Sequence, residues 1–183
     1  SWLDTEAIFA NRAPTYAVTE YPSGKTRYVR PSQRNIFQLM SASSAMPLVH
    51  WPVEIDGKPY VDGGLSDPLS VQRALADGHD RVVAVTNKQD GVYVGKFYGF
   101  SKFTSSILPR HIAQLVKTYE SRVRAVEEVI DRDTRVIAIR PRRPLPLRHF
   151  IDTDKGRINE AVQMGIDDAR AALQAVKDFT AEA

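Results

Sequence analysis

The sequence predicts an α/β fold, in which a mostly parallel sheet is flanked by helices and preceded by an N-terminal β-hairpin region. Two observations support this prediction. In the second half of the chain, short continuously apolar segments alternate with long amphipathic ones, as expected of buried strands and the helices that cover them. In the first half, strand-like segments are joined by turn residues such as Pro22-Ser23-Gly24. With 183 residues, of which 43% are apolar, the chain can bury a sizeable core.

The N-terminal part is predicted to contain two strands and a helix. The strands cover residues 15–21 and 26–30, and the helix covers residues 33–42, where apolar positions recur at helical spacing. The small residues of the following segment, 41–47 (SASSAMP), should end this helix and let backbones approach closely. The residues expected on its apolar face are Ile36, Leu39 and Met40.

A second hairpin is predicted to follow. Residues 53–55 and 58–61 are its strands, and Asp56-Gly57 between them suits a type I′ turn, whose two central residues need positive φ angles. Pro59 has no N–H to donate to a neighbouring strand, so it predicts that the second strand lies at a sheet edge.

A short helix is predicted over residues 68–76. Asp67 precedes it as the N-cap, Pro68 occupies the first helical position, and Gly78 lies just past its end.

The second half of the chain then alternates between strands and helices. Residues 81–86 (RVVAVT) and 134–139 (TRVIAI) are predicted as strands covered on both faces, and residues 111–131 and 157–179 as amphipathic helices. This alternation implies parallel strands joined by right-handed crossovers. The residues expected to face inward from the last helix are Ile158, Val162, Ile166, Ala169, Leu173 and Val176.

Composition excludes several classes of function. The chain contains no cysteine, so it forms neither disulfides nor thiolate metal sites. It has no run of apolar residues long enough to span a membrane. The net charge is only +3, although the pI is about 9.2, and this small excess does not indicate a nucleic-acid partner.

Asp62 is the strongest candidate for a functional residue. It ends a predicted strand, and ligands of open α/β sheets gather beyond the carboxyl ends of strands. Gly63 and Gly64 follow it and allow backbone to approach closely. The alternative is that Asp62-Gly63-Gly64 is only a turn, since Asp-Gly turns are common.

The segment EIDGKPYVDGGLSDPLSVQRALADGHDRVVAV, residues 54–85, resembles the C-terminal half of a patatin-like phospholipase domain. MSASSAMP, residues 40–47, is similar to the Ala-Ser-x-Ala-x-Pro stretch that precedes the hairpin in that family. The resemblance implies a partial patatin-like layered fold, with residues 1–109 as the C-terminal part of the catalytic domain. Residues 110–183 would be an α/β extension packed on the same sheet, similar to that of one bacterial subgroup.

The resemblance also implies a Ser–Asp dyad that cleaves acyl esters, with Asp62 as the general base and Gly63 and Gly64 shaping its surroundings. Such a carboxylate takes the proton of the serine hydroxyl directly, without an intervening histidine. Partial desolvation would raise the pKa of Asp62 and make it a better base. The implied substrate is a lipid or small acyl ester, such as a phospholipid or lysophospholipid, and no metal or organic cofactor is implied.

The nucleophile of such a dyad is not found in this sequence. The family's serine lies in a Gly-x-Ser-x-Gly elbow, whereas Gly91, Gly95 and Gly99, which have that spacing, enclose Tyr93 and Phe97. We therefore expect the chain to be a fragment that lacks the N-terminal nucleophile segment and is inactive alone. We also expect its uncovered sheet edge to associate with the missing segment or with copies of itself.

Other candidates have a structural alternative. Ser43 or Ser44 could act as a nucleophile with His50 as its base, or could simply pack the backbone. His79, His111 and His149 have no metal-ligand spacing, and His79 suits a helix C-terminus.

Two segments could contact lipid. Val92–Phe103, rich in aromatic residues, is either an interfacial lip that makes peripheral membrane contact or a loop that buries its aromatics. The segment RPRRPLPLRHF, residues 140–150, is either a solvated connection or a headgroup contact, and no nucleic-acid partner is expected. Its basic residues are Arg140, Arg142, Arg143, Arg148 and His149.

The sequence as a whole predicts a fragment of a patatin-like lipid acyl hydrolase, cytoplasmic or peripheral at the membrane. The alternative function is a non-catalytic module that binds a lipid surface or a protein.

Overall fold

The computed structural model of the chain describes residues 5–10, 14–87, 107–148 and 152–181. By contacts they form two compact units, one from the described residues of 1–70 and 96–123 and the other from those of 71–95 and 124–183. Each unit is thus assembled from two separate stretches of chain, whereas the domain prediction placed a single division after residue 109. Among the described helices, none is both long enough and apolar enough to span a bilayer.

The first unit is built on a four-stranded sheet in the order β2-β1-β4-β3. The strands are β1 (Tyr16–Glu20), β2 (Thr26–Val29), β3 (Val53–Ile55) and β4 (Lys58–Asp62). All three strand pairs are antiparallel. The α/β class is confirmed, but the prediction of a mostly parallel sheet is wrong for this unit, because short turns can join only antiparallel neighbours.

The turn between β3 and β4 has the predicted type I′ character. Asp56 and Gly57 both adopt positive φ angles, of 51° and 74°. The prediction about Pro59 is wrong, since β4 lies between β1 and β3. The proline is tolerated there because β1 ends at Glu20. Just beyond that end, the N–H of Tyr21 donates to the carbonyl of Pro59 at 2.9 Å. Only the hydrogen bond that an N–H of residue 59 would donate is missing, since proline has none.

Helix α2 (Ile36–Ser43) covers one face of this sheet, and a short helix α1 (Thr5–Ala10) precedes it in the chain. As predicted, Ile36 and Leu39 of α2 face inward, and both are fully buried. Met40, the third residue predicted on this face, is only half-buried. Val18, Leu39, Ala42 and Ile55 form the core between helix and sheet.

The predicted helix over residues 111–131 is two helices instead. The first spans Arg110–Lys117 (here α4), the second spans Tyr119–Arg132 (α5), and Thr118 separates them. Thr118 has φ −101° and ψ 9°, and its side chain donates back to the carbonyl of Gln114 at 2.9 Å. Such back-bonding by threonine competes with the helical pattern, which explains a break that apolar spacing alone does not reveal.

The second unit contains a parallel pair of strands, as predicted for this part of the chain. The strands are β5 (Val82–Val85) and β6 (Val136–Ile139), and Val82 is paired with Val136. Val83 is 37% exposed and Val85 is 68% exposed. The expectation that β5 is covered on both faces is therefore wrong for the described residues, which form a sheet of two strands here.

Helix α3 (Val71–Ala76) begins later than predicted, and Asp67 is not its N-cap. The N–H of Asp67 donates to the carbonyl of Gly63 at 2.9 Å, so this part of the chain belongs to the preceding turn. The end of α3 agrees with the prediction. Gly78 has φ 89°, and the N–H of His79 donates to the carbonyl of Ala74 at 3.2 Å, the 6→1 bond of a Schellman motif.

The last helix, α6 (Lys155–Ala181), is longer than predicted and presents a different side to the interior. Met164 is its buried residue. The apolar residues that we expected to face inward are largely uncovered, because Met164 and not this stripe lies on the packed side. Their exposed fractions are 38% for Ile158, 57% for Val162, 41% for Ile166 and 50% for Leu173.

Candidate active site

Asp62 is the last residue of β4, and its backbone is held by three neighbours. It pairs with Val18 of β1 in the antiparallel register. Its N–H donates to the carbonyl of Ala45 at 2.9 Å, and its carbonyl accepts from the hydroxyl of Thr19 at 2.7 Å. The SASSAMP segment thus contacts the candidate base directly, through the backbone of Ala45.

Thr19 is the buried link that fixes the strand end. It is completely inaccessible to solvent, and its Oγ1 lies 2.8 Å from Oγ of Ser66. Since the single hydroxyl proton of Thr19 goes to the carbonyl of Asp62, Ser66 is the donor in its bond with Thr19, and the longer 3.4 Å contact with the carbonyl of Gly63 is its alternative acceptor. A chain of hydrogen bonds therefore runs from the turn after Asp62, through β1, to the carbonyl of Asp62 itself.

The carboxylate of Asp62 caps the turn that follows it. Its Oδ1 accepts from the N–H of Gly64 at 2.8 Å, at the start of a 3-10 turn over Gly63–Leu65. Burial raises the pKa of Asp62 above its ordinary value, and the Gly64 bond opposes the rise. No described residue forms an ion pair with Asp62 or donates to its Oδ2, so one carboxylate oxygen is available to another group.

Tyr119, at the start of α5, lies close enough to this carboxylate to feel its charge, and Arg122 lies one turn further along the helix. Neither residue was identified from the sequence. Burial raises the pKa of the Tyr119 hydroxyl, the negative charge of Asp62 raises it further, and Arg122 opposes both. Tyr119 therefore remains a neutral hydroxyl beside Asp62. In the sequence it was only one apolar position of a predicted helix, and no signal indicated that it approaches residue 62.

Arg122 connects the two helices to the turn after Asp62. Its Nη2 donates to the carbonyl of Leu65 at 2.6 Å and to the carbonyl of Leu115 at 2.6 Å. The Leu115 carbonyl lies in the last turn of α4, where backbone acceptors lose their helical partners. Arg122 thus satisfies the end of one helix while it anchors the backbone near the carboxylate.

The two glycines after Asp62 have different roles. A Cβ at Gly63 would lie 1.9 Å from the carbonyl oxygen of Ala17, so Gly63 is required by the close packing of β1 against this turn. A Cβ at Gly64 would lie 3.1 Å from Oδ1 of Asp62 itself. Only Gly64 therefore shapes the immediate surroundings of the carboxylate, and both glycines remain predicted rather than demonstrated site residues.

The two candidate serines, His50 and Asp67 each form a hydrogen bond with a nearby group of the fold. Ser43 donates to the carbonyl of Ala17 at 3.0 Å, Ser44 donates to that of Met40 at 3.0 Å, and Nδ1 of His50 lies 2.6 Å from the carbonyl of Trp51. Asp67 accepts from the hydroxyl of Tyr28 at 2.6 Å. These contacts favour the packing alternative for the two serines.

Among the described residues, no group of three histidine, aspartate or glutamate side chains could hold a metal ion. The predicted lip Val92–Phe103 and His149 lie outside the described residues. In the basic segment, Arg140 forms ion pairs with Asp131 and the buried Glu127, at 2.6 and 3.1 Å.

Comparison with known proteins shows what the segment around this site is similar to. The model of the patatin-like phospholipases matches residues 4–75, which include the whole of β4 and the Asp62 turn. Residues 4–75 are patatin-like. An uncharacterized protein of Escherichia coli (strain K12), YjjU, is 26% identical over 124 residues, which are 64% of this chain and 35% of YjjU. The chain thus matches about a third of the length of this relative.

The raised pKa of Asp62 in this patatin-like segment gives a testable effect on stability. The folded state holds the carboxyl proton more tightly than the unfolded state, so the free energy of unfolding should fall as pH rises from the unfolded pKa through the folded one. Asp62→Asn removes this dependence and keeps the bond from Gly64. We expect the variant to melt above the wild type at pH 7, with a difference that shrinks towards pH 3.5. A difference that is constant with pH would contradict the desolvation of Asp62.

Thr19→Val tests the buried link. The substitution preserves shape but removes the buried hydroxyl that donates to the carbonyl of Asp62, and it leaves Ser66 only its longer contact with the carbonyl of Gly63. It should therefore lower the free energy of unfolding by about 1–3 kcal/mol. Thr26→Val is the matched control. Thr26 faces Thr19 across the β1–β2 pair, and its hydroxyl forms no hydrogen bond with any described residue. Chemical denaturation should show little change for Thr26→Val, and equal losses in both variants would argue against the link.

Proposed function

We propose that this chain supplies the general base of a patatin-like lipid acyl hydrolase, and that Asp62 is that base. The observation that carries the proposal is the state of the carboxylate: it is half-buried at a strand end, with one oxygen bound to Gly64 and the other uncommitted among the described residues. A partly buried carboxylate oxygen without a protein partner is open to a hydroxyl supplied by another segment, as a general base requires.

The chemistry requires a serine hydroxyl within hydrogen-bond reach of Oδ2 of Asp62. The carboxylate accepts the hydroxyl proton as the serine oxygen attacks the ester carbonyl, and the protonated carboxyl then donates that proton to the departing alcohol. An acyl-enzyme remains. Water hydrolyses it in the same way, with Asp62 again accepting and returning a proton, so that a fatty acid is released and the serine is regenerated.

The surroundings of Asp62 suit this role. An aspartate with an ordinary pKa is a weak base, and desolvation brings its pKa closer to the working pH. Gly64 holds Oδ1, which leaves Oδ2 to accept the hydroxyl proton. Tyr119 near the carboxylate is a neutral hydroxyl, so it brings no positive charge that would lower the pKa of Asp62.

The nucleophile is proposed to come from a segment that precedes this chain in a longer protein. No Gly-x-Ser-x-Gly elbow occurs in the 183 residues, and the family is one of phospholipases. The uncovered Val83 and Val85 would be suitable contacts for such a segment. The proposed substrates are acyl esters of phospholipids or lysophospholipids, and this chain by itself is proposed to be inactive.

A fluorophosphonate probe tests this proposal, because it labels only activated serines. The full-length protein should be labelled at a serine outside residues 1–183, whereas this chain alone should not be labelled. Mass spectrometry of the labelled peptide identifies the residue. Labelling of Ser43 or Ser44, or ester hydrolysis by the isolated chain, would overturn the proposal. Absence of labelling in an intact full-length protein would favour the non-catalytic module instead.

A further inference from the structure

The loop between α2 and β3 exposes three apolar side chains close together in the chain. We refer to residues 48–51 as the Trp51 loop. The exposed fractions are 42% for Leu48, 54% for Val49 and 86% for Trp51. Single exposed apolar residues are ordinary on a protein surface, whereas several together mark a surface that contacts an apolar partner.

A defined turn presents these side chains. The N–H groups of Val49 and His50 both donate to the carbonyl of Met46, at 3.1 and 2.9 Å. Leu48 has a positive φ of 71°, which a leucine rarely adopts because its Cβ is crowded by the backbone. Backbone strain of this kind is retained mostly at functional sites. The exposed apolar groups therefore belong to a fixed structure that the fold maintains against a local cost.

Both ends of the Trp51 loop lie beside the candidate active site. The carbonyl of Ala45, shortly before the loop, accepts from the N–H of Asp62 at 2.9 Å. After the loop, Val53 of β3 pairs with Tyr60 of β4 in antiparallel register. Trp51 precedes this pair by two residues and Asp62 follows it by two, so both lie at the same end of the sheet. The loop thus borders the end of β4 that carries the candidate base.

The same end of the sheet carries exposed positive charge. Because β1 is antiparallel to both β2 and β4, the latter two strands run in the same direction and end on the same side. Arg30 follows the end of β2, and Arg34 lies in the connection to α2. Both are exposed and form no ion pair with any described residue. Residues 30–53, which include the Trp51 loop, contain no aspartate or glutamate.

The neighbouring carboxylates do not cancel this charge. Asp62 and Asp67 are only partly exposed, and Asp67 accepts from the hydroxyl of Tyr28 at 2.6 Å. Glu54 and Asp56 are exposed, but they follow as β3 runs away from this end towards its turn. An anionic surface that approaches the Trp51 loop would therefore meet exposed arginines beside exposed apolar groups.

We propose that the Trp51 loop docks on an anionic membrane surface, with its apolar side chains in the interfacial layer and Arg30 and Arg34 at the headgroups. Tryptophan is enriched in that layer because its ring is apolar while its N–H stays hydrated. Arginines close to anionic lipids add attraction. The choice of a membrane as the partner rests on the proposed function, in which the substrate is a lipid ester. It deepens that function, since the ester would be taken from an assembled lipid layer rather than from solution.

Trp51→Ser tests the apolar contact. Flotation of the full-length protein with vesicles of phosphatidylcholine and phosphatidylglycerol should show binding of the wild type, and at least about tenfold weaker binding of the variant, as expected when a large apolar side chain is lost. Trp51→Phe keeps an apolar ring and should restore most of the binding. The indole forms no hydrogen bond with any described residue, so the denaturation midpoint of both variants should equal that of the wild type.

Leu173→Ser is the matched control. It removes a side chain that is 50% exposed on α6 in the second unit, and it should bind vesicles as the wild type does. Absence of binding by the wild type, wild-type binding by Trp51→Ser, or an equal loss in Leu173→Ser overturns the proposal. A further protein segment or a second copy that covered the loop would make vesicle binding independent of Trp51, which is one of these outcomes.

Replacement of both Arg30 and Arg34 by glutamine tests the charge. Affinity for vesicles that contain phosphatidylglycerol should fall about fivefold for each arginine, while affinity for pure phosphatidylcholine should not change. Equal losses on the two kinds of vesicle would refute the contact with anionic headgroups.

Asp62→Asn separates this proposal from the catalytic one, because vesicle binding does not require hydrolysis. The variant should bind vesicles as the wild type does. Trp51-dependent binding by a wild type that hydrolyses no ester would overturn the proposed function alone. Ester hydrolysis without Trp51-dependent binding would overturn the membrane-docking proposal alone.

Discussion

Asp62→Asn is expected to lower kcat for ester hydrolysis by the full-length protein by about 10²–10⁴-fold, the usual contribution of a positioned general base. The amide has nearly the same shape as the carboxylate and can still accept from Gly64, so the turn should persist. It cannot accept the serine proton at neutral pH. Hydrolysis of a short chromogenic ester measures the loss, and KM should change little because the substrate does not lose a binding contact.

Asp56→Asn is the matched control for this measurement. It makes the same chemical change at the exposed tip of the β3–β4 turn, where asparagine also tolerates a positive φ. Its activity should equal that of the wild type. A variant of Asp62 that retained more than about a tenth of wild-type kcat would exclude the residue as the base, since general-base catalysis contributes at least about a hundredfold.

Gly63→Ala is expected to have the largest effect on stability, with a loss of at least about 3 kcal/mol, at the upper end of what overpacking costs. The added Cβ would lie 1.9 Å from the carbonyl oxygen of Ala17, and that oxygen belongs to backbone that cannot rotate away. Relief requires the turn after β4 to move from β1. Because Gly63 does not have a positive φ, the effect is steric and does not include backbone strain.

Gly64→Ala separates packing from chemistry. Its Cβ would be 3.1 Å from Oδ1 of Asp62, and that oxygen can shift by rotation of a side chain. We expect a smaller loss of stability than in Gly63→Ala, together with lower hydrolytic activity in the full-length protein, because the base is displaced. Chemical denaturation and the ester assay measure the two effects. Equal destabilisation by both alanines would mean that the close approach of Ala17 to Gly63 does not limit the fold.

Local sequence signals predicted the elements that depend on neighbouring residues. The Asp56-Gly57 turn, the Gly78 helix end and the parallel pairing of the two apolar segments in the second half all follow from nearby turn chemistry or from apolar patterning. Predictions that depended on residues far apart in the chain were wrong. Pro59 indicated an edge, yet β4 is an inner strand because the first strand of the chain pairs with it.

The inward face of α6 shows the same limitation. Its apolar stripe has helical spacing, and the sequence does not reveal which side of the helix packs on the sheet that the described β5 and β6 form. The break between α4 and α5 was also hidden, since Thr118 interrupts no apolar repeat. Its effect arises from a side-chain bond to the backbone and from Arg122, which reaches both the end of α4 and the turn at Leu65.

The sequence by itself determined that a carboxylate ends a strand and is followed by two glycines, because strand ends and turns are set by residues a few positions apart. Only the tertiary structure decided what surrounds that carboxylate and in which direction its pKa is shifted. Thr19 and Ala45 fix its backbone, and burial beside Tyr119 raises its pKa. These groups lie far away in the chain, and desolvation depends on which side chains surround a site rather than on the order in which they occur.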